Sequence, residues 1–166
     1  MERKDFEIMA PVCSYESLHA AIEAGANAIY FGVEGLNMRA RSSVNFTLDD
    51  LHNIARICDE NGVKSYLTVN TIIYDDDIET CHKIIDAVKQ SGISAIIASD
   101  MAAIAYARSF DVEVHISTQV NVSNIEAVRF YAQFADVVVL ARELNLDQVK
   151  AISEAIDREN IIGPHG

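Results

Sequence analysis

A short apolar run, a polar tip and a helix-patterned segment succeed one another six times along this chain. The apolar runs are Phe6-Glu7-Ile8-Met9, Ala28-Ile29-Tyr30-Phe31, Ser65-Tyr66-Leu67-Thr68-Val69, Ala95-Ile96-Ile97-Ala98, Val112-Glu113-Val114-His115-Ile116 and Val137-Val138-Val139-Leu140. Near-continuous apolar character marks strands buried on both faces, as in a parallel sheet covered by helices. Parallel strands need long crossovers, and the intervening segments supply them. Such folds bind ligands beyond the C-terminal ends of their strands. The first candidates for chemistry are therefore the residues that follow the runs: Cys13 and Ser14, Arg39 and Arg41, Asn70, Asp100, Ser117 to Gln119, and Arg142 with Glu143.

The crossovers carry helix start and stop signals. Ser14 precedes residues 15–24, which Gly25 ends, and Thr47 precedes residues 48–60, which stop at Asn61-Gly62. Ser123 with Glu126, and Asn145 with Gln148, have capping-box spacing ahead of residues 127–131 and 149–156. Helices are also expected over residues 78–90 and 101–109, the latter capped by Asp100. Leu51, Ile54, Ala55 and Cys58, like Cys81, Ile84, Ile85 and Val88, recur at helical spacing, so one face of each helix packs on the sheet.

Six βα units fit either a doubly wound sheet or a (β/α)8 barrel. The expectation is an α/β fold: a parallel TIM-barrel-like sheet, incomplete, with about six units present. Residues 1–166 are expected to form one domain, the N-terminal portion of a longer protein. An open barrel exposes an edge strand, which predicts association with a second copy through that edge.

Composition narrows the function. The net charge of −12 argues against a broad nucleic-acid surface, since phosphate contacts need Lys and Arg. It leaves room for a local basic pocket. Apolar runs stay well below the roughly 18 residues of a membrane span, and no apolar leader follows Met1, so a cytoplasmic protein is expected. Cys13, Cys58 and Cys81 are odd in number and lack C-x-x-C spacing, which fits a reducing compartment. His19, His52 and His82 lack partners at ligand spacing, and Asp75-Asp76-Asp77 reads as a solvated helix start, so no metal site is expected.

Three stretches go beyond a generic α/β pattern. They are Glu7-Ile8-Met9-Ala10-Pro11-Val12-Cys13-Ser14-Tyr15-Glu16-Ser17-Leu18 with Gly25 to Gly32, then Leu36-Asn37-Met38-Arg39-Ala40-Arg41-Ser42-Ser43 with Asn45-Phe46-Thr47, and Ser117-Thr118-Gln119-Val120-Asn121 with Val139 to Leu144. In this order they resemble the N-terminal part of peptidase family U32, the collagenase-like proteins, over essentially the whole chain. The resemblance implies two activities: peptide hydrolysis, and hydroxylation of RNA bases in tRNA or rRNA with prephenate. Other members of the family act in oxygen-independent ubiquinone synthesis and hold an iron–sulfur cluster. The family's cysteine-containing segment follows the sixth unit, and Cys13, Cys58 and Cys81 match none of its positions. No cofactor is therefore expected in these residues; the resemblance allows an iron–sulfur cluster in the full-length parent. Where many members carry Gly before the serine of the first loop, this chain has Cys13.

Each candidate has two readings. Arg39 and Arg41 suit a bidentate grip on a small anionic substrate or an RNA phosphate, or they pair with Glu34, Asp49 or Asp50 and fix the loop. Arg142 and Glu143 either hold a substrate and orient a water or proton, or form a buried ion pair. His115, Ser117 and Gln119 alternate along the fifth strand and share a face; His115 suits acid–base work, and polar filling of the barrel is the alternative for all three and for Asn70. Glu143 and His115 are thus the catalytic candidates. Arg39, Arg41, Asn70, Ser117, Gln119 and Arg142 are the substrate-binding ones. The expected function is RNA-base hydroxylation or modification by the full-length parent; the alternatives are a peptidase and a non-catalytic binding or packing fragment.

Overall fold

The computed structural model describes residues 6–36 and 46–166. Six parallel strands form one sheet in sequential order: β1 (Met9–Pro11), β2 (Ala28–Phe31), β3 (Lys64–Val69), β4 (Ala95–Ala98), β5 (Glu113–Ile116) and β6 (Val137–Val138). The crossovers hold α1 (Tyr15–Glu23), α2 (Leu51–Glu60), α3 (Ile78–Ser91), α4 (Met101–Ser109) and α5 (Ile125–Tyr131), and α6 (Leu146–Glu159) follows β6. A doubly wound sheet reverses its strand order at a switch point. This sheet does not, and it curls into a half-barrel whose edges are β1 and β6.

Alternation along each strand divides the residues between two cores. Phe31, Leu67, Ile96 and Val114 lie in one register row and face the helices. There they join Leu18, Leu51, Ile54, Ile85 and Ile104 in a fully buried layer. Each such side chain contributes about 1.5–3 kcal/mol on burial. The opposite face lines the barrel interior, where Ala28, Tyr66, Ala95 and Ile97 cluster with Tyr30.

Local chemistry sets the helix ends. Ser14 and Ser17 form a reciprocal capping box at α1, and Asn145 and Gln148 form another at α6, with both bonds 2.9 Å. Gly92, at φ +82°, closes α3 in the left-handed region. Four expectations shift. The first strand lies at Met9–Pro11, and the Ile8 carbonyl accepts from the amides of Asn27 and Ala28 just before it. Asn124, not Ser123, caps α5 by accepting from the Ala127 amide at 2.9 Å, while Glu126 pairs with Arg129. The Asn145 box starts α6 at Leu146, three residues earlier than the apolar pattern suggests. β6 is only two residues long, and Leu140 bridges to Val122 instead. Arg129 grips Glu159 with two nitrogens, at 2.7 and 2.8 Å, and ties α5 to α6. No helix among the described residues is long and apolar enough to cross a membrane.

Candidate functional site

The C-terminal ends of β3, β4 and β5 open onto a cavity of about 380 Å³. Its lining is Asn70, Thr71, Ile72, Ser99, Asp100, Gln119 and Val120. Asp100 fixes its shape. One carboxylate oxygen caps α4 by accepting from the Ala102 amide at 2.9 Å, and the other accepts from the Ile73 amide at 3.3 Å. The β3–α3 and β4–α4 loops are thereby tied together. On the third side, Ser117 ends the strand. Its hydroxyl accepts from the Gln119 amide at 3.3 Å and starts a 3-10 turn over Thr118–Val120. Asn121, at φ +56°, finishes that turn.

The lining mixes polar and apolar surface, and its described residues include no cation. Two amides, two hydroxyls and a carboxylate with both oxygens engaged meet an apolar edge from Ile72 and Val120. Thr71 Oγ1 is the buried side-chain oxygen that lacks a hydrogen-bond partner among the described residues. Such a group costs about 1–3 kcal/mol.

Of the expected site residues, the structure brings Asn70 and Gln119 together in this lining and leaves the others elsewhere. His115 is buried in the barrel interior. Its Nε2 meets Glu113 Oε1 at 2.8 Å, and its ring stands edge-on to Tyr66 at 4.5 Å. Tyr66 in turn donates to Glu7 at 2.7 Å. Burial first, then the Glu7 carboxylate, pushes the Tyr66 phenol far up and keeps it protonated. Ser117 is buried and committed to its cap, so the alternation of His115, Ser117 and Gln119 on one strand ends at Ile116. Arg142 and Glu143 sit exposed in the turn after β6, and neither makes an ion pair with another described residue; the buried pair does not form. Arg39 and Arg41 lie outside the described residues.

Sequence reasoning missed Thr71, Ser99 and the Glu113 partner of His115. Only the last had a signal, since residues two apart on a strand share a face.

A second cavity, about 310 Å³, lies between α5, β6 and α6, with mostly apolar walls such as Val128, Val138, Leu140 and Ile152. Its one acidic group, Asp136, is taken by His165: the His165 amide donates to Oδ1 at 2.7 Å and Nδ1 meets Oδ2 at 2.8 Å. Asp111 approaches the other ring nitrogen at 3.1 Å. Gly163 passes so close that an added Cβ would meet the Asp136 Cα at 2.6 Å.

Among the described residues no three of His, Cys, Asp or Glu converge into a group that could hold a metal ion. Cys13 is exposed, whereas Cys58 and Cys81 are buried in α2 and α3, where burial pushes both thiols up to about 11.

Fold and rim cavity together define an α/β protein of TIM-barrel type, with its candidate site at the C-terminal ends of the strands. The family model for peptidase family U32 matches residues 13–163, and the chain belongs to that family. It is 66% identical over 166 residues to a collagenase of Porphyromonas gingivalis, matching 100% of this chain and 40% of the relative. It is 34% identical over 155 residues to the 23S rRNA 5-hydroxycytidine C2501 synthase of Escherichia coli, matching 91% of this chain and 23% of the relative. The chain thus spans well under half the length of these curated relatives. Among solved structures, the U32 peptidase Mk0906 superposes with a TM-score of 0.72 at 16% identity, covering 89% of this chain and 64% of its own, which supports the fold.

Proposed function

We propose that this chain forms the base-binding part of a cytoplasmic enzyme that hydroxylates a pyrimidine in RNA. The observation that carries the reading is the rim cavity. Its described lining offers neutral amides and hydroxyls, the groups that pair with the edge of a base drawn out of its stack. The likeness to an rRNA 5-hydroxycytidine synthase supports this substrate class. In this reading Asn70 and Gln119 contact the base. Arg142, with Arg39 and Arg41, meets an RNA phosphate or a small carboxylic acid co-substrate. Glu143, next to Arg142 in the turn after β6, carries a proton in this reading. Ser117, bonded to the Gln119 amide, holds the wall of the cavity in shape, and His115 belongs to the interior with Glu113 and Tyr66. With a net charge of −12, these 166 residues are expected to make few phosphate contacts.

A peptidase is the second reading, favoured by the 66% identity to a collagenase. It needs a nucleophile and its base, and no serine or cysteine hydrogen-bonds to a histidine among the described residues. One comparison separates the two. Ribosomal and transfer RNA from cells with and without the gene is digested to nucleosides and analysed by mass spectrometry, and the purified full-length protein is incubated with gelatin. Loss of one hydroxylated pyrimidine with intact gelatin is the expected result. Unchanged nucleosides with cleaved gelatin would replace this reading with the peptidase.

A further inference from the structure

We propose that Thr71 is a specificity-determining residue that reads the edge of a pyrimidine in the rim cavity, its hydroxyl turning from the protein to the ligand on binding. The inference deepens the RNA-base reading and rests on it. Thr71 Oγ1 is shut off from solvent and unpartnered among the described residues, yet the residue itself is part-exposed and lines the cavity. Threonine has alternative staggered positions at χ1, so a single rotation carries the hydroxyl from the protein side to the cavity side. In the first position it forgoes a hydrogen bond. In the second it gains one from a ligand, so binding relieves a defect that the free protein carries.

The neighbours select the ligand. Asn70 and Gln119 bring amides and Ser99 a hydroxyl, while both Asp100 oxygens are engaged by backbone amides. Amides and hydroxyls both donate and accept, which matches the mixed edge of cytosine or uracil. A phosphate or carboxylate would need a cation, and the described lining beside Thr71 offers none, so this wall suits a neutral edge. Ile72, 71% exposed, adds an apolar surface for the face of the ring. The volume, about 380 Å³, lies at the small end of ligand cavities and suits one ring.

The test titrates the full-length protein with cytidine, uridine, orthophosphate and N-acetylglycinamide by calorimetry, for the parent, Thr71→Val and Thr71→Ser. One nucleoside is expected to bind, and the phosphate and the amide are not. Thr71→Val should weaken that binding about fivefold to tenfold, Thr71→Ser should restore it, and Thr71→Val should melt no lower than the parent, because it removes an unsatisfied group. Unchanged affinity in Thr71→Val, or a clearly lowered melting temperature, overturns the role of Thr71. Binding of N-acetylglycinamide in place of both nucleosides overturns it in favour of a peptide ligand. Thr71-dependent nucleoside binding in a protein whose deletion leaves every hydroxylated nucleoside intact upholds the role of Thr71 and overturns only the proposed reaction.

Discussion

At the N-terminal end of the half-barrel, Tyr66 donates to Glu7, His115 meets Glu113, and His165 is held between Asp136 and Asp111. At the C-terminal end, Thr71 Oγ1 lacks a partner among the described residues, Gln119 is exposed, and a cavity of about 380 Å³ opens. The same strands run through both ends. The difference lies in how their polar groups are satisfied. Partners within the protein fix the lower end and make its polar groups contributors to stability, since a hydrogen bond offsets the desolvation cost that an unpaired buried group pays in full. The upper end leaves hydrogen-bonding capacity for something else, as the strand ends of barrels commonly do. Substitutions at the lower end should therefore change stability, and substitutions at the rim should change binding.

The largest effect is expected at Tyr66. Tyr66→Ala removes a buried aromatic from the barrel interior and strips His115 of its ring contact. Denaturant unfolding should show a loss of about 3–5 kcal/mol, against about 1 kcal/mol for Tyr66→Phe, which gives up only the bond to Glu7. A Tyr66→Phe protein of full stability but lost ligand binding would break the contrast between the two ends.

Thiol reactivity sharpens it. Cys13 is exposed beyond β1, whereas burial raises Cys58 and Cys81 to about 11. In the native protein Cys13 should react quickly with a thiol reagent, and Cys58 and Cys81 roughly a hundredfold more slowly, because the thiolate is the reactive form; peptide mapping of the labelled protein reads each residue. Equal rates at the three residues would mean that the helix–sheet core opens as readily as the rim.

The smallest effect is expected at His165, whose side chain is 34% exposed and so partly screened. Its hydrogen bond to Asp136 raises the imidazole pKa. A raised folded-state pKa gives stability that is complete below the unfolded value of about 6.5 and is lost as pH rises through the folded value. The melting temperature of the parent should fall between about pH 6 and pH 8 by more than that of His165→Gln. Parallel curves for the two proteins would remove His165 from the lower-end network.

The βα order was legible because strand cores and capping signals repeat with regular spacing, and local hydrogen bonds such as those of Ser14 and Asn145 depend on few neighbours. Two choices beyond that reach went astray. The alternation of His115, Ser117 and Gln119 continued on paper past Ile116, but the Ser117 hydroxyl takes the Gln119 amide and turns the chain. For Arg142 and Glu143 a buried ion pair was one of two readings, and that one fails because both lie exposed in the turn after β6. Asn70 and Gln119 were legible as strand-end residues, although their meeting in one cavity depends on three loops, two tied by Asp100 and the third turned by Ser117. No sequence feature marks Thr71, whose oxygen is buried without a partner among the described residues.

The central claim, that the rim and not the lower interior carries function, is tested most directly by complementation. A strain lacking the gene receives the full-length parent, Gln119→Ala or Tyr66→Phe, and its RNA nucleosides are measured by mass spectrometry beside the melting temperature of each purified protein. The account predicts that Gln119→Ala lowers the hydroxylated pyrimidine about tenfold at an unchanged melting temperature, and that Tyr66→Phe does the reverse. Full modification by Gln119→Ala together with loss of modification by a stable Tyr66→Phe would contradict it.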